Sequence, residues 1–280
     1  MYAGNLAVVA PSDSNGCLAM WSGCTEVEAS TLEALAKSAG LTPPDIGPKT
    51  VLSRALTALA GKDEIVVTVT PITMALVRKV PLGEPTPDRD VDYVERVRVA
   101  IEPDGQFRVI QGGVPGLFVE IQHARLYRNA TDVSNMLGQA IRVFQGVPLR
   151  DRGGVYIVPQ ARIAAWQAFA DAVTAAGAAH CHSVPVAYGE RFTRLAVESI
   201  RTHVANTLAD IRDAVETGNL GARALKGLLT HDTTSLESQI DAYGDLLGGV
   251  GAELKQASED ARQLIEAALI IAEAKKGSRK

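Results

Sequence analysis

Residues 234–272 read TSLESQIDAYGDLLGGVGAELKQASEDARQLIEAALIIA. In this stretch Leu236, Ile240, Tyr243, Leu247, Val250, Leu254, Ala257, Ala261, Leu264, Ala268 and Ile271 recur at alternating intervals of four and three. A strict 3.5-residue repeat places them on one side of a helix, as in the a/d seam of a coiled coil. Gly244, Gly248, Gly249 and Gly251 fall inside the repeat, and each weakens a helix by about 1 kcal/mol relative to Ala. Because the apolar phase survives across them, the spacing predicts a continuous or merely bent helix.

Working backwards, residues 190–217 carry a second stripe of Phe192, Ala196, Ile200, Val204, Leu208, Ile211 and Val215, spaced mostly by four. The two stripes predict an antiparallel hairpin closed across 218–231. At 1.5 Å per residue the earlier helix would be about 42 Å long and the later one about 60 Å. The surplus seam then needs a further partner: the preceding domain, the segment 220–229, or a second subunit.

Ahead of residue 188 the periodicity changes. Short apolar runs at 6–10 and 17–21 flank Pro-Ser-Asp-Ser-Asn-Gly, turn chemistry that predicts a β-hairpin. Helices are expected at 25–39 and at 49–60, the second entered through Pro48. Alternation at Ile65, Val67 and Val69, β-rich runs at 72–80, 93–101 and 106–110, and the turn Glu102-Pro-Asp-Gly105 predict an antiparallel meander of four strands. The proline- and acid-rich stretch 81–92 reads as a loop, and 117–128 fits either strand or helix. Val133, Met136, Leu137, Ala140, Ile141 and Phe144 form one helical face, with Thr131 and Asp132 as candidate caps. A hairpin leading into 155–158, a helix over 160–176 and a strand over 180–187 complete an α+β domain over 1–187. The expected organisation is that domain, then a helical hairpin or coiled coil over 188–275, then a disordered basic tail at 276–280.

The chain is acidic overall, with net charge −4, so the whole molecule is not an obvious polyanion binder. Three cysteines, an odd and sparse number, do not suggest a secreted disulfide scaffold. No signal-peptide pattern and no run of about 20 apolar residues is evident, so a cytoplasmic location without membrane insertion is expected.

The common cofactor motifs are missing: there is no phosphate loop, no dinucleotide-binding glycine pattern, no H-E-x-x-H and no G-x-S-x-G. No cofactor, metal or catalytic residue is therefore assigned. His180-Cys181-His182 is the most ligand-like cluster, with both histidines on one face of a strand. Zinc requires three or four ligands, so ordinary strand residues are the better reading, and a metal protein or enzyme centred there is the third alternative. Residues 96–162 hold nine arginines, no lysine and five acidic residues, a local charge of +4. The planar guanidinium fork suits phosphate. An amphipathic helix followed by an arginine-tipped hairpin would present Arg142, Arg150, Arg152 and Arg162 to a nucleic-acid backbone.

The segment Arg150-Asp-Arg-Gly-Gly-Val-Tyr-Ile-Val-Pro159 resembles one in uncharacterised bacteriophage and mobile-element proteins that have a long helical C-terminus. That resemblance spans roughly residues 50–270. It implies no established activity, only an accessory role near nucleic-acid metabolism or host encounter. The reading taken forward is an assembly or adaptor protein that binds itself or another protein through its helical tail, with nucleic-acid binding as the alternative.

Overall fold

The computed structural model describes residues 16–43, 45–86, 89–149, 154–187, 190–217 and 220–277. The strand expected at 6–10 lies outside them, as does part of the tail expected at 276–280. The chain is α+β with antiparallel sheets. It divides into two compact units, one formed by Thr25–Lys37 and Thr42–Ser134, the other by the remainder. This is not a division at residue 187: the C-terminal helices share a unit with strands from both ends of the expected α+β domain.

In the first unit, β2 (Val27–Glu28) and α1 (Ala29–Ser38) occupy the expected first helix. The opening turn is strand because Val27 pairs with Arg128 and is buried. Next comes α2 (Pro48–Leu59), which starts on the proline as predicted, since the missing N–H is unneeded there. The meander follows as β3 (Glu64–Thr70), β4 (Thr73–Thr86), β5 (Arg89–Ile101) and β6 (Phe107–Gly112), antiparallel in that order. Met74, Leu76, Val97 and Val99 on its inner face pack against Val51, Leu52, Ala55 and Leu56 of α2, and against Leu117 and Ile121 of α3 (Leu117–Leu126). The two-residue β7 (Tyr127–Arg128) then closes against β2.

The stretch expected to be a loop at 81–92 is instead mostly strand, with Pro81 opposite Val91 and Thr86 opposite Arg89. Pro81 and Pro85 are tolerated in the strand because β3 ends its pairing at Arg78. Beyond that point β4 has a described neighbour on one side only.

Helix α4 (Ala130–Val143) buries the whole predicted face from Val133 to Phe144. Its cap is Asn129 rather than Thr131. The Asn129 Oδ1 accepts the Asp132 N–H at 3.0 Å, and Asp132 Oδ2 accepts the Asn129 N–H at 3.1 Å. This reciprocal arrangement satisfies two donors that the first helical turn would otherwise leave unpaired.

The second unit is built on a four-stranded antiparallel sheet. Its central β1 (Gly16–Ser22) lies between β10 (His180–Val186) and β9 (Val155–Pro159), with β8 (Val147–Pro148) beyond β9. On α5 (Ile163–Ala175), Trp166 is fully buried beside Phe144 and Phe169, and its indole N–H donates to Ser183 Oγ at 2.8 Å.

The helical region is α6 (Glu190–Glu216), α7 (Ala222–Gly227), a π-helical turn, α8 (Thr234–Ala242), α9 (Gly244–Leu247) and α10 (Gly249–Gly277). Antiparallel packing is present but has an extra leg. Lys226 meets Glu273 at 3.0 Å, Glu237 meets Arg262 at 3.8 Å and Asp241 meets Lys255 at 2.6 Å, so α7–α8 runs antiparallel to α10. Ile200 and Val204 of α6 share a cluster with Leu247 and Leu254, while Ile211 shares one with Ala261 and Ile265. The order is the same along both helices, so α6 and α10 run parallel.

The predicted continuous helix is broken. Gly248 adopts φ 52° and ψ −129°, a conformation essentially reserved for glycine. The Tyr243 hydroxyl donates to the carbonyls of Gln145 (3.0 Å) and Ile157 (2.6 Å), tying the turn before the break to the sheet. Gly248→Ala should therefore lower stability by about 1–3 kcal/mol. Gly244→Ala, at a helical site with open space around the added methyl, should be neutral or stabilising by up to about 1 kcal/mol. Urea unfolding of the two variants checks this, since a continuous helix would gain from both.

Candidate functional site

At the start of β3 the Glu64 side chain is almost wholly buried, with 3% of its surface exposed. Its carboxylate accepts the Gly61 N–H at 3.0 Å, Arg78 Nε at 3.0 Å and Arg96 Nη1 at 2.7 Å on both oxygens. These bonds join the turn before β3 to strands β4 and β5. The Gly61 bond and the Arg96 and Arg78 guanidiniums stabilise the charged form, outweighing its burial, and hold the Glu64 carboxyl down at about 2.

From this anchor β3 runs along the edge of the sheet, and among the described residues it pairs only with β4. Its outward side chains are Ile65 (38% exposed), Val67 (36%) and Val69 (43%). Alternation in the sequence marked these three as a face, but it could not tell an outward face from a core one. Beyond Arg78 and before Val97, β4 and β5 continue as a two-stranded ribbon with Val80, Tyr93 and Val94 exposed. At the opposite edge, Phe118 and Val119 of α3 stand exposed beside an apolar groove of about 260 Å³ lined also by Val109 and Val114. Of the fifteen large apolar side chains exposed among the described residues, eleven belong to this smaller unit.

The same unit holds a cleft of about 390 Å³ lined by Glu26, Arg54, Glu120, His123 and Tyr127. His123 Nε2 lies 3.2 Å from Glu26 and its ring stacks on Tyr127 at 4.7 Å. Arg54 is held by both oxygens of Asp132 at 2.7 Å. One imidazole–carboxylate pair beside a neutralised arginine supplies no nucleophile and no anion receptor.

The arginine stretch is largely neutralised from within. Arg96 binds Glu64, Arg98 binds Glu95 and Arg108 binds Glu102. Arg125 donates to the Gly105 carbonyl and lies over the Phe107 ring, and buried Arg128 donates to backbone carbonyls. Of the four predicted phosphate contacts, Arg142 is exposed on α4, Arg162 donates to Gln145 Oε1 at 3.2 Å, and Arg150 and Arg152 lie outside the described residues.

The predicted seam is largely built into the helical unit. Leu236, Ile240, Tyr243, Leu247 and Leu254 join its core, with Val250 packed against them. Ala261 and Ala268 belong to the second cluster. On α10 the buried face is Leu254, Ser258, Ala261 and Ile265, so Ala257 and Leu264 flank it and Ile271 is 57% exposed.

His180, Cys181 and His182 sit on β10, and both histidines are exposed. Among the described residues no group of three His, Cys, Asp or Glu side chains is placed to hold a metal ion. Burial pushes the Cys181 thiol up to about 11, with nearby Cys24 adding to the effect, and pushes Cys17 up to about 12. Thiols so shifted are poor nucleophiles at neutral pH.

A model of a family of unknown function, DUF6744, matches residues 16–275, nearly the whole described chain. The chain belongs to DUF6744. No curated protein and no solved structure matches it. The DUF6744 match takes in both compact units. Among the described residues no helix is long and apolar enough to cross a membrane.

The anchor of β3 gives a pH test. A carboxyl held at about 2 in the fold, against 4.5 ordinarily, contributes stability that is fully present above 4.5 and is lost as pH falls toward 2. Glu64→Gln should therefore be less stable than the parent at pH 7, and the gap should narrow from pH 4.5 down to 2. Thermal melts across that range check it.

Proposed function

We propose that this DUF6744 chain is a non-enzymatic assembly or adaptor protein whose docking surface is the smaller unit, the sheet unit formed by Thr25–Lys37 and Thr42–Ser134. The observation that carries the reading is the concentration there of eleven of the fifteen exposed large apolar side chains. Within that set Ile65, Val67 and Val69 form one exposed row along the edge strand β3, and grouped exposed apolar side chains mark surfaces that a partner covers. Most of the seam of the helical tail packs inside its own unit, leaving Leu195, Ile270 and Ile271 as the tail's exposed large apolar side chains among the described residues.

Nucleic-acid binding draws less support. The guanidiniums of Arg96, Arg98 and Arg108 already face carboxylates, and the sequence of the two ribbon strands beyond Arg78 counts Lys79 and Arg89 against Glu84, Asp90 and Asp92. An acidic arm repels phosphate. The enzyme reading at His180–His182 loses its nucleophile to the raised Cys181 thiol.

A photo-crosslinking side chain placed at Val69, Val119 or Ile271 in the producing cells tests the surface. Defined protein adducts are expected from Val69 and Val119. Adducts from Ile271 alone would return the role to the tail, and none from any position would overturn the reading.

A further inference from the structure

Among the described residues the two four-stranded sheets end on four edge strands, and three of these are blunted. Strand β8 is two residues long, and β10 carries Pro185. Strand β6 bears Arg108 and ends at Gly112, whose φ of 70° departs from the strand conformation. Short strands, proline, charge and irregular ends are the usual means of stopping edge-to-edge pairing. Strand β3 carries no charge, proline or glycine over the six residues from Ile65 to Thr70, and its pairing with β4 is regular from Glu64 to Thr68, the register shifting only between Thr68 and Thr70. Its single charge, Glu64, is turned into the pairs with Arg78 and Arg96.

The direction of its free backbone groups is also fixed. Lys79 donates to the Asp63 carbonyl at 2.8 Å, one position before the Glu64–Arg78 pair. Hydrogen-bonded pairs alternate along an antiparallel ladder, so Ile65 and Val67 point their backbone groups at β4. Val66 and Thr68 point theirs away from the sheet.

We infer that β3 pairs antiparallel with β3 of a second copy of the chain, about a twofold axis at Val67; this rests on the assembly reading above. In that register Val66 faces Thr68 of the partner subunit and the outward N–H and C=O groups of both are satisfied. On the exposed face Val67 meets the partner's Val67, and Ile65 meets the partner's Val69. No like charges are opposed, and the half-exposed apolar row of each copy covers the other. The strand is self-complementary about its centre, as a twofold interface requires, and the β3–β6 sheets of the two copies become one sheet of eight strands.

Three measurements on the full-length protein test this. Light-scattering mass should rise with concentration from 29.6 kDa toward twice that value. Val67→Cys should oxidise to a covalent dimer, because facing residues of a non-hydrogen-bonded pair have Cα atoms about 4.5 Å apart, inside disulfide range. Ile72→Cys and the parent chain, with its own three cysteines, should not do so. Val67→Lys places two ammonium groups opposite each other and should give monomer with an unchanged far-UV spectrum. A parent that stays at 29.6 kDa at every concentration overturns the inference. So does a dimer that survives Val67→Lys and leaves Val67→Cys uncrosslinked. If either result is accompanied by photo-crosslinks from Val69 or Val119 to another protein, the docking reading stands and only the second copy is excluded.

Discussion

One nearly buried carboxylate, Glu64, organises the sheet unit. It gathers a turn N–H and two guanidiniums from strands that follow it by 14 and 32 residues. A carboxylate taken out of water needs such partners, and the two arginines need the carboxylate equally, since without it they would face each other. The three groups are stable only together, and together they fix where β3 begins against β4 and β5. The exposed row on the free edge depends on that register, because a slip of one residue would exchange the faces of β3.

The regular elements were legible where one periodicity acted alone. The α4 face and the proline-led start of α2 appear as read, because a 3.6-residue stripe and a missing N–H each have a single local solution. The order of the meander was legible for a similar reason: its strands follow one another through short turns. What escaped was decided by contacts between distant residues. The Gly248 break leaves the apolar phase almost undisturbed, so a heptad-like repeat describes two helices packed on a core as well as one long helix in a coiled coil. Only the shift of the buried face to Ser258 and Ile265 betrays the difference.

The candidate site was hidden for the same reason. Ile65, Val67 and Val69 are visible in the sequence as an alternating face, but their exposure follows from β3 standing at the end of the strand order and from the helices lying on the other side of the sheet. The arginine-rich stretch misled in the opposite direction. Local charge counting gave +4, yet the carboxylate that neutralises Arg96 lies far upstream and becomes its neighbour through strand pairing. The unit boundary also depends on such pairing, since β1 reaches across more than a hundred residues to β9 and β10.

The break at Gly248 has a consequence for how the molecule breathes. Helix α10 opens in the same cluster as α6, α8 and the sheet, but its distal half rests in a smaller cluster with Ile211, Leu225 and Ile265. A small apolar cluster holds its amides closed less firmly than a large one. The distal turns of α10 and the end of α6 are therefore expected to act as their own cooperative unit, opening and exchanging amide protons ahead of the core while the proximal turns stay shut.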